Sequence, residues 1–281
     1  MRPIWLVALL AITALPDRER DRAALLAADR DVARSANSLS AFAEDAAYLY
    51  PGAPLVRGKN AIRALLDSAG AGDLTWTPEF ADVSDDGTVG YTYGWTRSAD
   101  QQGKYLACWR RRDGGSWMVT AYTRTRLAPA VTQPPAPVAA PNSLVRGRGR
   151  ADSRELLSAD SAFSAMSVTR GAKTAFLAFA ANEAITLGAP TAPFNRGREA
   201  IVATFAAFPA DAVLEWAPVV ANVAGSGDLG CTVGEASISP THSYSKYLTV
   251  WKRQTDGSWK FVADGGNARP APAPTGARTP H

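Results

Sequence analysis

Two aspartates give the first sign of chemistry. Leu25, Asp29, Val32 and Ala36 follow one another at i, i+4, i+7 and i+11, and Leu156, Asp160, Phe163 and Ser167 repeat the spacing, which puts each Asp on the apolar face of a helix. A carboxylate turned towards a core costs on the order of several kcal/mol unless it is hydrogen-bonded or lines a cavity. Two readings follow: a structural bond to backbone or a sheet tryptophan, or a pocket. Asp264 is the third carboxylate, at the end of the last apolar run on the face of Lys260 and Val262, opposite Trp259, Phe261 and Ala263. Its plainer reading is a strand-end Asp capping a Gly265-Gly266 turn. An earlier, similar run has Tyr122 there, and Asp45 in the first half is matched with Asn182 in the second. Tyr48, Tyr50, Tyr91, Tyr93, Trp95 and Trp109 make the first half rich in rings. Such rings either line an apolar ligand pocket, for which Tyr48 and Tyr122 are the candidates, or pack a sheet, which is the commoner cause.

Other signals carry less. His242 stands in an expected hairpin with no partner His, Cys or carboxylate near it, and His281 lies in the tail. Cys108 and Cys231 fall at non-equivalent places, aligned with Val250 and Tyr91. An inter-domain bridge is the one disulfide open to them, and small buried apolar residues is the default reading. Gly225-Ser226-Gly227-Asp228-Leu229-Gly230 fits GxGxxG, but a strand follows it, so no helix N-terminus is there to hold a pyrophosphate. No GxSxG, Walker A, HExxH or CxxC motif occurs. The sequence implies no cofactor and no metal. The net charge of +4 comes from scattered arginines with acidic neighbours, which reads as solvated surface and not as a nucleic-acid footprint.

The elements that hold these residues come in two copies. Lys104-Tyr105-Leu106-x-x-Trp109 returns as Lys246-Tyr247-Leu248-x-x-Trp251 at an offset of 142, and Gly87-x-x-Gly90-x-Thr92-x-Gly94 and Trp76-x-Pro78 return at 140. Arg57-Gly58-x-x-Ala61-Ile62 returns at 139, and Leu25-Leu26-x-Ala28-Asp29 at 131. A steadily growing offset means the same elements in the same order: a tandem duplication of one domain. The 281 residues, 46% of them hydrophobic, suffice for two ordinary cores.

In each copy a long helix precedes a shorter one opened by Arg-Gly, and alternating strands follow. Val89, Tyr91, Tyr93 and Trp95 alternate with Gly90, Thr92, Gly94 and Thr96, a half-buried strand with bulky and small faces. Asp113-Gly114-Gly115 and Asp256-Gly257 supply hairpin turns. Each copy is therefore α+β, with a curved antiparallel sheet. Residues 1–16 read as a signal peptide, or else as an apolar extension packed on the first domain. Their apolar run is too short for a membrane span. Domains are expected over 17–127 and 151–268, a Pro/Ala-rich linker over 128–150, and a disordered tail over 269–281.

With the Leu-Leu-x-Ala-Asp helix, the Arg-Gly-x-x-Ala-Ile helix, Trp-x-Pro, Lys-Tyr-Leu-x-x-Trp and Asp-Gly-Ser-Trp, each copy resembles the nuclear transport factor 2-like superfamily, closest to its SnoaL-like branch of unknown function. The resemblance implies a cystatin-like α+β cone in each copy, a bent sheet wrapped around the N-terminal helix with an internal pocket. It also implies an outer sheet face used for pairing, so that the copies form a pseudo-dimer within one chain. Pocket carboxylates in ketosteroid-isomerase-like and cyclase members transfer protons. By that likeness Asp264 would be a general base, with Asp160 or Asn182 orienting a substrate and Asp29, Asp45, Tyr48 and Tyr122 lining the sites. The expected protein is periplasmic or secreted, with cytoplasmic as the alternative, and binds a small, mainly apolar molecule. Its rivals are an isomerase, cyclase or lyase and a non-catalytic interaction module whose concavities are filled by side chains. No nucleic-acid partner is expected.

Overall fold

The computed structural model describes residues 18–35, 38–69, 75–98, 102–112, 115–128 and 152–272. The expected signal peptide, the linker after residue 128, the tail after residue 272, and Asp113 and Gly114 of the first hairpin turn lie outside the described residues. The first copy runs α1 (Arg18–Arg34), a 3-10 turn (Ser38–Ala41), β1 (Phe42–Leu49), β2 (Val56–Arg57), α2 (Lys59–Ser68), β3 (Thr75–Val83), β4 (Val89–Arg97), β5 (Gln102–Arg111) and β6 (Trp117–Arg126). The second runs α3 (Ser153–Arg170), α4 (Ala172–Phe179), β7 (Ala180–Thr186), β8 (Asn195–Arg196), α5 (Arg198–Ala203) with a 3-10 turn (Thr204–Ala207), β9 (Val213–Val223), β10 (Leu229–Ser239), β11 (Ser243–Arg253) and β12 (Trp259–Ala268). None of the described helices is long and apolar enough to cross a membrane.

Each copy builds a six-stranded sheet, in the orders β2-β1-β6-β5-β4-β3 and β8-β7-β12-β11-β10-β9. The four long strands are antiparallel, as the alternating runs require, but β1 and β7 join β6 and β12 in parallel. These two strands, lying before the Arg-Gly helices, are the element that the pattern of two helices and then strands leaves out. Their sequences hide them: in Phe42–Leu49 and Ala180–Thr186 a register shift leaves Glu44, Asp45, Asn182 and Glu183 side by side in solvent and breaks the period of two. The Arg-Gly helices begin as expected, with Gly58 and Gly197 at φ 88° and 83° turning the chain into α2 and α5.

The small face of β4 and β10 lies under the opening helix. A Cβ on Gly90 would come within 2.6 Å of Leu25 Cδ2, and one on Gly230 within 2.7 Å of Leu156 Cδ2, so these glycines let α1 and α3 settle onto the sheet. The bulky face turns outward. Val89, Tyr91, Tyr93, Trp95, Leu106 and Ala121 pack against Leu229, Val233, Leu248, Val250 and Ala263 of the other copy, forming one core between two sheets. The remaining cores lie inside the two cones.

This seam corrects the default reading of the cysteines. Cys108 and Cys231 form a disulfide, with Cα atoms 6.5 Å apart. Each stands on the outer face of its sheet, so packing the sheets brings them together even though they are not equivalent in the repeat. Polar bonds close the edges: Lys252 pairs with Asp82 at 2.8 Å, Lys104 Nζ donates to the Ala192 carbonyl at 2.7 Å, and Asn267 Nδ2 donates to the Leu49 carbonyl at 2.6 Å. Burial alone would push Asp82 up, but Lys252 and Arg18 outweigh it and hold the carboxyl below its ordinary range. At the start of the expected tail, the Arg269 guanidinium lies 5.2 Å above the Tyr244 ring and pairs with Glu235, so this residue is packed and not free.

Candidate functional site

Inside each cone the helix aspartate ties helix to sheet. Asp29 accepts from Trp76 Nε1 and from Tyr105 OH, both at 2.6 Å. Asp160 accepts from Trp216 Nε1 at 2.7 Å and from Tyr247 OH at 3.1 Å. Burial pushes both carboxyls up, and these donors oppose it. Next to them Trp109 and Trp251 each donate Nε1 to Thr92 or Thr232 at 2.8 Å. Bonding to a sheet tryptophan, one of the two readings of these aspartates, is thus realised twice.

The cones differ at their centres. In the first, Tyr122 lies among Tyr48, Tyr105, Trp76 and Phe42, with ring centroids 5.4, 5.7, 5.7 and 6.2 Å away. Tyr50 packs on Tyr48, and the Arg124 guanidinium sits 4.9 Å above Tyr50. The cluster fills the space under the sheet. Burial raises the Tyr48 phenol to about 12 and Tyr122 well above its ordinary value, so both stay neutral.

The strand registers fix what replaces these groups in the second cone: Thr186 for Tyr48, Gly188 for Tyr50, Asp264 for Tyr122 and Gly266 for Arg124. Three side chains shrink or vanish, and one ring becomes a carboxylate. A cavity of about 410 Å³ opens there, walled by Phe163 and Phe176 from α3 and α4, Trp216 from β9, and Tyr247 and Thr249 from β11, with Asp264 from β12. Leu214, Ile238, Ser243 and Tyr244, at strand ends, are its more exposed lining.

Asp264 is not at a strand end capping a turn. β12 runs on through Gly265 and Gly266, where a Cβ would lie 2.4 Å from Leu187 Cγ or 2.3 Å from the Lys246 carbonyl oxygen. Nor does Asp264 stand opposite Phe261. A bulge at Val262 shifts the register, so Phe261 joins the cone core and Asp264 also faces inward, while Ala263 turns to the inter-domain seam. Thr249 Oγ1 donates to Asp264 Oδ1 at 2.5 Å, and this is the only hydrogen bond to the carboxyl among the described residues. Burial pushes Asp264 up to about 6; Thr249 opposes the rise and the Asp160 charge adds to it. Lys246, the one lysine in the lining, spends its ammonium on Asn267 Oδ1 and the Ala268 carbonyl, at 2.6 and 2.9 Å. Burial lowers it to about 8.

The other candidates stand apart from this cavity. Asp45 is exposed and pairs with Arg110 at 3.0 Å, and Asn182 is exposed on its bulge. They are also not each other's counterparts: the registers match Asp45 with Glu183, and Glu44 with Asn182. Both residues sit where the irregular first strand swings its side chains out to water. Tyr48 and Tyr122 plug the first cone, and Asp29 lies behind them. Thr249, Tyr247 and Trp216 join the site although they are not among the residues expected there from the sequence. Tyr247 and Trp216 were within reach, because each recurs with the helix Asp it bonds, as Tyr105 and Trp76 do with Asp29. Thr249 gives a subtler signal: it replaces Ala107 directly across the ladder from the position where Asp264 replaces Tyr122.

No protein-family model and no curated protein matches the chain. Solved structures do. An NTF2-like protein of unknown function from Pseudomonas putida is similar at 17% identity, covering 41% of this chain and 84% of its own, with a TM-score of 0.36. A ketosteroid isomerase-like protein from Erwinia carotovora atroseptica matches at 12% identity over 41% of this chain and 94% of its own, with a TM-score of 0.34. An NTF2-like protein with a cystatin-like fold from Novosphingobium aromaticivorans matches at 16% over 41% and 81%, with a TM-score of 0.34. By its strand order and the repetition of that order, the chain is a tandem of two cystatin-like α+β folds.

Proposed function

We propose that the protein is an exported binder of a small, mainly apolar molecule, held in the second cone, with the first cone acting as its structural partner. The observation that carries this is the contrast at one position: rings fill the first cone around Tyr122, whereas Asp264 borders a cavity of about 410 Å³. Ligand pockets are usually apolar with a few placed polar groups, and this one is walled by Phe163, Phe176 and Trp216 with the Asp264 carboxyl and the Thr249 hydroxyl among its polar lining. Export is supported by the Cys108–Cys231 disulfide, because such bonds persist in oxidising compartments. Native mass spectrometry of the purified chain tests the binding reading. A co-purifying small molecule is expected in the wild type and not in Asp264→Tyr, which restores the first cone's plug. Equal loading of both would refute it.

The second reading is a proton-transfer enzyme of the isomerase, cyclase or lyase kind, with Asp264 as general base and Asp160 orienting the substrate through Tyr247. It is favoured by a carboxyl raised to about 6 inside a cavity, close to where a base works best at neutral pH. Here Asp264→Asn keeps binding and loses turnover. Turnover retained in that variant would rule out the role.

A further inference from the structure

Accepting the second cone as a ligand site, we infer that its ligand is a small organic cation, an amine with an apolar body that donates an N–H to Asp264 Oδ2. Thr249 occupies Oδ1, and no described cation pairs with the carboxyl. The charged and titratable groups on the surrounding elements are engaged with other partners or turned to solvent. On α3, Asp160 has its oxygens taken by Trp216 and Tyr247. On β11, Tyr247 donates its O–H hydrogen bond to Asp160, and Lys246 is tied to Asn267 and Ala268. On β10, Glu235 pairs with Arg269, which covers the Tyr244 ring. On β12, Lys260 Nζ donates to the Ala178 carbonyl and lies over Phe179. On α4, Lys173 is exposed.

A neutral apolar guest would strip water from Asp264 and return nothing, which is costly for a buried charge. An anion would add repulsion. An ammonium offers both the missing donor and the missing charge, and the half-buried Trp216 ring in the wall would favour it further. Trp216 has committed its only N–H to Asp160, so its π face is what it has left to offer.

The experiment uses the full chain and three probes with one ring system: 1-naphthylmethylamine, 1-naphthalenemethanol and 1-naphthoate. Affinities are measured by titration calorimetry at about pH 7.5 and about pH 5, on either side of the Asp264 value, for the wild type and Asp264→Asn. At the higher pH the amine is expected to bind at least about tenfold tighter than the alcohol, with naphthoate weakest. The advantage should shrink at the lower pH and vanish in Asp264→Asn, which still binds the alcohol. Should that variant fail to fold, the wild-type comparison across pH decides by itself. Alcohol binding as tight as amine binding in the wild type overturns the cation inference and leaves the ligand site standing. Failure of all three probes overturns both.

Discussion

One position, Tyr122 in the first copy and Asp264 in the second, separates a residue packed among rings from one that borders a cavity. Asp264 binds its proton more tightly folded than unfolded, being raised to about 6 by burial. Between about pH 4 and pH 6 the native state therefore holds more protons than the unfolded chain, and stability falls as pH rises through that window. The whole effect is at most about 3 kcal/mol, reduced by the partial opening to the cavity. Urea titrations across the window should show this slope in the wild type and a flatter one in Asp264→Asn. Asp29 and Asp160 are raised by burial in the same direction, and their contribution remains in both. Replacing Asp160 with Ala orphans Trp216 Nε1 and Tyr247 OH, so a loss of about 2–4 kcal/mol in the urea midpoint analysis is expected. Both helix aspartates could be read from the sequence, because a carboxylate recurring on an apolar stripe needs a reason. The inward aim of Asp264 could not, because it depends on a bulge at Val262 that no alternation pattern contains.

Among the elements, the long strands and the opening helices were legible, since regular burial writes a regular period. The first strand of each sheet was not. Its alanines pack closely, its two central residues leave the sheet, and its parallel partner lies far along the chain. The glycines of β4 and β10 recur in the sequence, but only the structure shows that they form a groove for a leucine. Gly230→Ala would set a Cβ 2.6 Å from the Asn222 carbonyl oxygen and 2.7 Å from Leu156 Cδ2. A loss of about 1–3 kcal/mol is expected from such overpacking, read as a lowered thermal midpoint, with Gly90→Ala behaving alike.

At the scale of the whole molecule, the two sheets meet outer face to outer face around a disulfide spanning 123 residues of sequence. Cys108→Ala is expected to cost about 2–5 kcal/mol in urea unfolding under oxidising conditions. Reductant should bring the wild type to the same curve once the seam opens, and an unchanged curve would show that the bridge contributes nothing. The duplication announced a pairing of like halves, whereas this cross-link, joining unlike positions, could be found only once the faces were in register. Separate identical subunits must share every amino-acid change, so a gain in one hollow is forced on the other. Fusion removes that bond: Ala107 and Tyr122 can keep one half solid while Thr249 and Asp264 border a hollow in the other.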